Sequence, residues 1–173
     1  MDCHNLLHII NFFTIYIWSL DRIIKLYDMK GSLVDIVIVN WNAGSYLQDC
    51  IKSIVDNKNE NIGNVVIVDN GSTDNSLSLV PNDKTYINII REKINHGFGK
   101  ACNIGAKYTD SKYILFLNPD TKINESSINE SINFMEKQSS SDVGICGIQL
   151  KDKHGISASC SRFPSVLNIL SSS

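Results

Sequence analysis

Paired cysteines are the first thing this sequence lacks. Its five cysteines, Cys3, Cys50, Cys102, Cys146 and Cys160, are scattered with no CxxC pair, and an odd, dispersed set fits a reduced, cytoplasmic compartment better than a disulfide framework. The four histidines, His4, His8, His96 and His154, stand at no ligand spacing to those cysteines, which argues against structural zinc. Charge of one sign is also missing, since 16 Lys+Arg against 18 Asp+Glu leave a formal net charge of -2 over 173 residues. No global field draws such a chain to nucleic acid or to an anionic membrane, so a phosphate-bearing ligand must be held by a local site. With 43% hydrophobic and 20% charged residues, a disordered tail is excluded and one ordinary domain is expected.

Long apolar runs are absent as well. Residues 6–20 (LLHIINFFTIYIWSL) are broken by His8 and Asn11 and fall short of the roughly 20 residues a membrane-spanning helix needs. The start, MDCHN, lacks the basic n-region of an export signal. Leu6, Ile10, Phe13, Ile17, Leu20 and Ile24 recur at helical spacing, predicting a helix that packs on the domain or lies in a membrane interface. Met29 offers an alternative start just before the first clear strand. Residues 1–32 are therefore read as an extension and residues 33–173 as the domain.

From residue 33 onward strand and helix signals alternate, the pattern of a mostly parallel sheet flanked by helices. The run at 33–39 is β-branched and is followed by Tyr46, Leu47, Cys50, Ile51, Ile54 and Val55 at helical spacing. Residues 65–68 predict a second strand, leading through Asp69-Asn70-Gly71-Ser72-Thr73-Asp74 into a helix cap. Further strands are expected at 86–90, 113–117 and 143–148, with helices through Ala101 to Tyr108 and around Ile128, Ile132 and Met135, and a turn at 152–155. No internal repeat interrupts the pattern.

The polar clusters fall where strands end. Asn40-Trp41-Asn42, Asp69-Asn70-Gly71, residues 95–99 and Asn118-Pro119-Asp120 follow the first four strands in order, and open α/β sheets bind ligands outside the carboxyl ends of their strands. A nucleoside diphosphate would find in Asp69 an acceptor for a base N–H and in Gly97 and Gly99 an unobstructed loop. Asp120 suits a hard cation, which often takes one or two protein carboxylates and completes its shell with diphosphate oxygens and water. Taken singly, Asp69-Asn70-Gly71 and Asn118-Pro119-Asp120 are ordinary turn sequences, so the weight lies in their order. His96 reads as a solvated loop residue with no acidic partner. The Gly97-Phe98-Gly99 segment lacks both the GK[ST] ending of a Walker loop and the third glycine of a dinucleotide fingerprint.

In this order and at these intervals, VIVNWNAGSYLQDCIKSI, VVIVDNGSTDNS, NHGFGKACNIGA and LFLNPDT resemble the family 2 glycosyltransferases, particularly their rhamnosyltransferase-like branch; DKHG and SRFPS extend the likeness to Pro164. The resemblance implies a GT-A fold, a Rossmann-like nucleotide-binding domain, and inverting transfer of a sugar from a nucleotide-diphosphate sugar, UDP- or dTDP-linked, with Mg2+ or Mn2+ as cofactor. By position it places Asn40 and Asn42 near the nucleotide, Asp69 on the base, and Asn95, Gly97 and Asn103 along the pocket. Asn118-Pro119-Asp120 stands at the metal motif, with an amide in place of the first carboxylate, so Asp120 is expected to carry the metal and Asn118 to assist. The acceptor would be a saccharide or a lipid-linked saccharide of a cell-surface polymer, reached from the cytoplasm with peripheral membrane association. The family's catalytic base belongs to an acceptor half expected to be incomplete here. Asp142 and Asp152 read as loop and turn residues. A binding domain without transfer activity is the competing expectation, and a nucleotidyltransferase is disfavoured by the absence of a basic Gly-rich signature near the start.

Overall fold

The computed structural model of the chain describes residues 31–81, 84–152 and 155–156. Two compact units divide it, Met1–Glu125 and Ser126–Ser173. The apolar stretch at 6–20, the Met29 start and the SRFPS segment lie outside the described residues.

In the first unit the chain runs β1 (Val34–Asn40), α1 (Ser45–Asp56), β2 (Ile62–Asn70), a 3-10 turn (Ser76–Leu79), β3 (Ile87–Glu92), α2 (Phe98–Ala106) and β4 (Tyr113–Leu117). The four strands form one parallel sheet in the order β3-β2-β1-β4. Every residue of β1 is buried, the mark of a central parallel strand covered on both faces, and it explains why residues 36–39 read as a continuous Val/Ile run. Each such side chain withdrawn from water stabilises the fold by about 1.5–3 kcal/mol.

Strand alternation sorts the core into two layers. Val37 and Val39 of β1 stand beside Val66 and Val68 of β2 in register and pack with Ala101 and Cys102 of α2. Ile36, Ile38, Val65 and Ile67 are buried on the opposite face, and α1 contributes its own buried row of Leu47, Cys50, Ile51 and Ile54. Right-handed crossovers put α1 and α2 on opposite faces, because β1-α1-β2 steps one way across the sheet and β3-α2-β4 returns the other way. The strand order therefore reverses between β1 and β4, and open α/β sheets bind ligands at the carboxyl ends of strands at such a reversal.

The amino end of the sheet is closed by a carboxylate that the sequence pattern did not single out. Asp35, 1% exposed, accepts Asn64 N at 2.7 Å, Ser111 Oγ at 2.8 Å, Asp110 N at 2.8 Å and Ser111 N at 3.1 Å. It ties the beginning of β2 and the turn before β4 to β1, at the end of the sheet away from the polar clusters.

The second unit holds most of α3 (Glu125–Met135), a 3-10 turn (Gln138–Ser140) and a short antiparallel pair, β5 (Lys151–Asp152) with β6 (Gly155–Ile156). Ile128 and Ile132 are the buried residues expected of α3, and the β5–β6 pairing fits the expected turn at 152–155. Two expectations are corrected. Residues 143–148 form no strand; Gly144 and Gly147 weaken it and Ile145 is 91% exposed. The segment after β2 makes only a 3-10 turn at Ser76–Leu79 instead of a full helix.

Candidate functional site

All four polar clusters emerge at the carboxyl edge of the sheet. Asn40 and Asp69 are register partners at the ends of β1 and β2 and share one face of the sheet. Asn40 is fully buried; its Nδ2 donates to Asp69 Oδ1 at 2.8 Å, Ser76 Oγ at 2.9 Å and Ser72 Oγ at 3.0 Å. Among the described residues this leaves Asn40 Oδ1 buried without a hydrogen-bond donor, a costly state for an acceptor. No described hydrogen bond reaches the second carboxylate oxygen of Asp69, which stays open to a further donor.

Asn42 braces the neighbouring loop. It takes the left-handed conformation that asparagine tolerates, at φ 52°, and its Oδ1 accepts Thr73 N at 2.8 Å and Asp74 N at 3.2 Å. Asp74 completes the brace by accepting Gly44 N at 2.9 Å and the Ser76 hydroxyl at 2.6 Å. The Ser76 hydrogen bond, foremost, holds its carboxyl below the ordinary range.

The opposite face is organised by Asn70, one position beyond Asp69. Its Nδ2 donates to Asn95 Oδ1 at 2.9 Å and its Oδ1 accepts His96 N at 2.9 Å; Asn95 Oδ1 also accepts Gly97 N at 2.8 Å. Gly97 caps α2 at φ 82° with open space where a side chain would stand, so the loop passes through a conformation that favours glycine. His96 has the acidic partner that sequence reading did not find: its Nε2 lies 3.0 Å from Glu92 Oε2, while Lys100 Nζ approaches Nδ1 at 3.2 Å.

At the β1/β4 reversal, residues 118–121 form a hydrogen-bonded turn, Thr121 N to Asn118 O at 3.1 Å, with Pro119 in its favoured second position. Asn118 and Asp120 are exposed, and the Asp120 carboxylate makes no hydrogen bond or ion pair among the described residues. Beneath the turn, Cys50 Sγ donates to Asn118 O at 3.7 Å; burial, and secondarily the charge of Asp120, push its thiol up to about 12. No group of three or more His, Cys, Asp or Glu gathers into a metal cage among the described residues. A single unpaired carboxylate fits a hard cation only where diphosphate oxygens and water supply the remaining ligands.

The structure thus brings Asn40 with Asp69, and Asn95 with Gly97, into direct contact, and sets Asn42 beside them. Asn118 and Asp120 occupy a separate turn, and Asn103 lies exposed on α2 with no described hydrogen bond to the others. Sequence reading placed Asn70, Ser72 and Asp74 in the polar cluster after the second strand without individual roles and did not name Ser76; the strand period that sends Asp69 and Asn70 to opposite faces is the signal that separates their roles. No helix among the described residues is long and apolar enough to cross a membrane.

Residues 35–161 match the family described as Glycosyl transferase family 2. An uncharacterized glycosyltransferase of Haemophilus influenzae is 32% identical over 110 residues, covering 62% of this chain and 44% of the relative. The minor teichoic acid biosynthesis protein GgaB of Bacillus subtilis is 29% identical over 113 residues, 59% of this chain and 12% of the relative. Among solved structures, Staphylococcus aureus TarS 1-349 in complex with UDP-GlcNAc superposes with TM-score 0.54 and 23% identity, over 60% of this chain and 31% of that one. The mannosyltransferase PcManGT of Pyrobaculum calidifontis, in complex with GDP-Man and Mn2+, gives TM-score 0.56 at 15% identity, over 62% of this chain and 33% of that one. The fold is GT-A. The chain spans less than half the length of the curated relatives it matches first.

Proposed function

The chain belongs to glycosyltransferase family 2, and from that premise we propose that it is the donor-binding part of an inverting, rhamnosyltransferase-like enzyme of cell-surface polymer synthesis. Its donor is a nucleotide-diphosphate sugar, UDP- or dTDP-linked. The observation that carries this reading is the pairing of Asn40 with Asp69 at the carboxyl edge, which leaves one carboxylate oxygen and one buried amide oxygen without donors among the described residues.

The free oxygen of Asp69 accepts the base N–H, and Asn40 holds Asp69 in the orientation that this contact requires. Asn42 fixes the 72–76 loop, while Asn95 and Gly97, with Asn103 further along α2, shape the other side of the pocket. Asp120, assisted by Asn118, would hold Mg2+ or Mn2+ against the diphosphate; when bound, such a cation neutralises the charge that the leaving diphosphate develops. The acceptor hydroxyl attacks the anomeric carbon as its proton passes to a base, which this reading assigns to acceptor-binding sequence outside the donor pocket. The neighbours' complexes with UDP-GlcNAc and GDP-Man support a nucleotide-sugar ligand, and the GgaB likeness supports a cell-surface polymer as product. A saccharide or lipid-linked acceptor, met from the cytoplasmic side with peripheral membrane association, completes the proposal.

Binding measurements on variants test these roles. Asp69→Ala should weaken UDP binding about tenfold or more, the cost of leaving a buried donor unpaired, whether or not metal is present. Asp120→Asn should leave metal-free UDP binding unchanged and remove the gain that Mn2+ confers. Equal nucleotide affinity in Asp69→Ala would reject the base contact.

A further inference from the structure

One face of α1 is laced to the stretch of chain that carries Asp120. Cys50 and Ser53 stand at i and i+3 on one face of the helix, and Asn57, its C-cap residue, follows at the end of that face. Cys50 Sγ donates to Asn118 O at 3.7 Å, Ser53 Oγ accepts Ile123 N at 3.1 Å, and Asn57 Nδ2 donates to Ile123 O at 3.4 Å. Asp49, beside this face, forms an ion pair with Lys122 at 2.8 Å. Both ends of the segment 118–123 are therefore held, while Asp120 between them has no described partner of its own.

This lacing is more than packing. An exposed aspartate on a free loop would have to lose its mobility each time it bound an ion, whereas a turn anchored at both ends has already lost it. The exposed Asp49–Lys122 pair adds little, as surface ion pairs do. The neutral, part-buried contacts of Cys50 and Ser53 supply the anchoring.

We infer that Cys50, Ser53 and Asn57 are positioning residues for the metal-binding turn: α1 preorganises the Asp120 carboxylate without touching the ion. The inference rests on the assignment of Asp120 as metal ligand. Ser53 offers the cleanest test because it is small and half-buried. Mn2+ binding to the full chain is measured by the electron paramagnetic resonance signal of the free ion, with UDP or GDP present, alongside nucleotide affinity without metal and the thermal midpoint. Ser53→Ala is expected to weaken Mn2+ binding about tenfold, the equivalent of one hydrogen bond, with metal-free nucleotide affinity unchanged. Ser53→Thr, which keeps the hydroxyl, is expected to restore it. The inference is overturned if Ser53→Ala binds Mn2+ as the wild type does, or if it loses metal-free nucleotide binding to the same extent, which would mark a general structural role. Mn2+ binding that survives Asp120→Asn unchanged would instead reject the assignment of Asp120 itself, and with it this inference.

Discussion

Cys50 shows how one side chain can serve core and site together. It is fully buried in α1, yet its S–H reaches the backbone of the turn that bears Asp120. Raising a thiol's pKa favours the protonated form in the folded state. Its contribution to stability is complete below the ordinary thiol pKa and drains away as pH rises toward about 12. In the native chain at pH 8, Cys50 and Cys102 should resist alkylation while exposed Cys146 reacts. Peptide mass mapping after brief iodoacetamide treatment checks this; rapid modification of Cys50 would mean that α1 does not seal it. The residue scale is also where sequence reading was weakest. Asp69 and Asn70 are adjacent and chemically alike, and only the pleat of β2 assigns one to Asn40 and the other to Asn95 and His96. Glu92 meets His96 because the loop after β3 folds back on its strand, a path that linear spacing does not encode.

At the scale of elements, legibility followed hydrophobic pattern. The runs of β1 and β2 and the buried stripe of α1 were readable because two covered faces demand continuous Val and Ile in strands and a 3.6-residue period in helices. The same approach failed at residues 143–148, where a short apolar string containing Gly144 and Gly147 finds no partner strand among the described residues. The fit of α2 on the sheet depends on a detail that pattern does not show. Gly105 lies so close to Val37 and Val68 that a Cβ there would overlap Val37 Cγ1 and stand 3.0 Å from Val68 Cγ2. Gly105→Ala should therefore cost about 1–3 kcal/mol through overpacking, although alanine is the better helix former. Denaturant unfolding measures it; a neutral or stabilised variant would show that α2 can shift outward freely.

For the whole chain, the strand order accounts for the position of the site. Residue patterns predict alternating strands and helices, but the placement of β4 beside β1 brings the Asn118-Pro119-Asp120 turn to the same reversal as Asn40. The order of the four polar clusters along the sequence was readable; their distribution over two faces and a separate turn was not, since it depends on long-range pairing. Asp35 stands at the amino edge of the sheet and the polar clusters at the carboxyl edge, where the proposed donor site lies. Calorimetric titration of the chain with UDP-, dTDP- and GDP-sugars, with and without Mn2+, decides whether the carboxyl edge of the sheet is a donor site. Saturable binding of one nucleotide class that tightens when Mn2+ is added is expected. A folded chain that binds none of the three, with or without the metal, would contradict it.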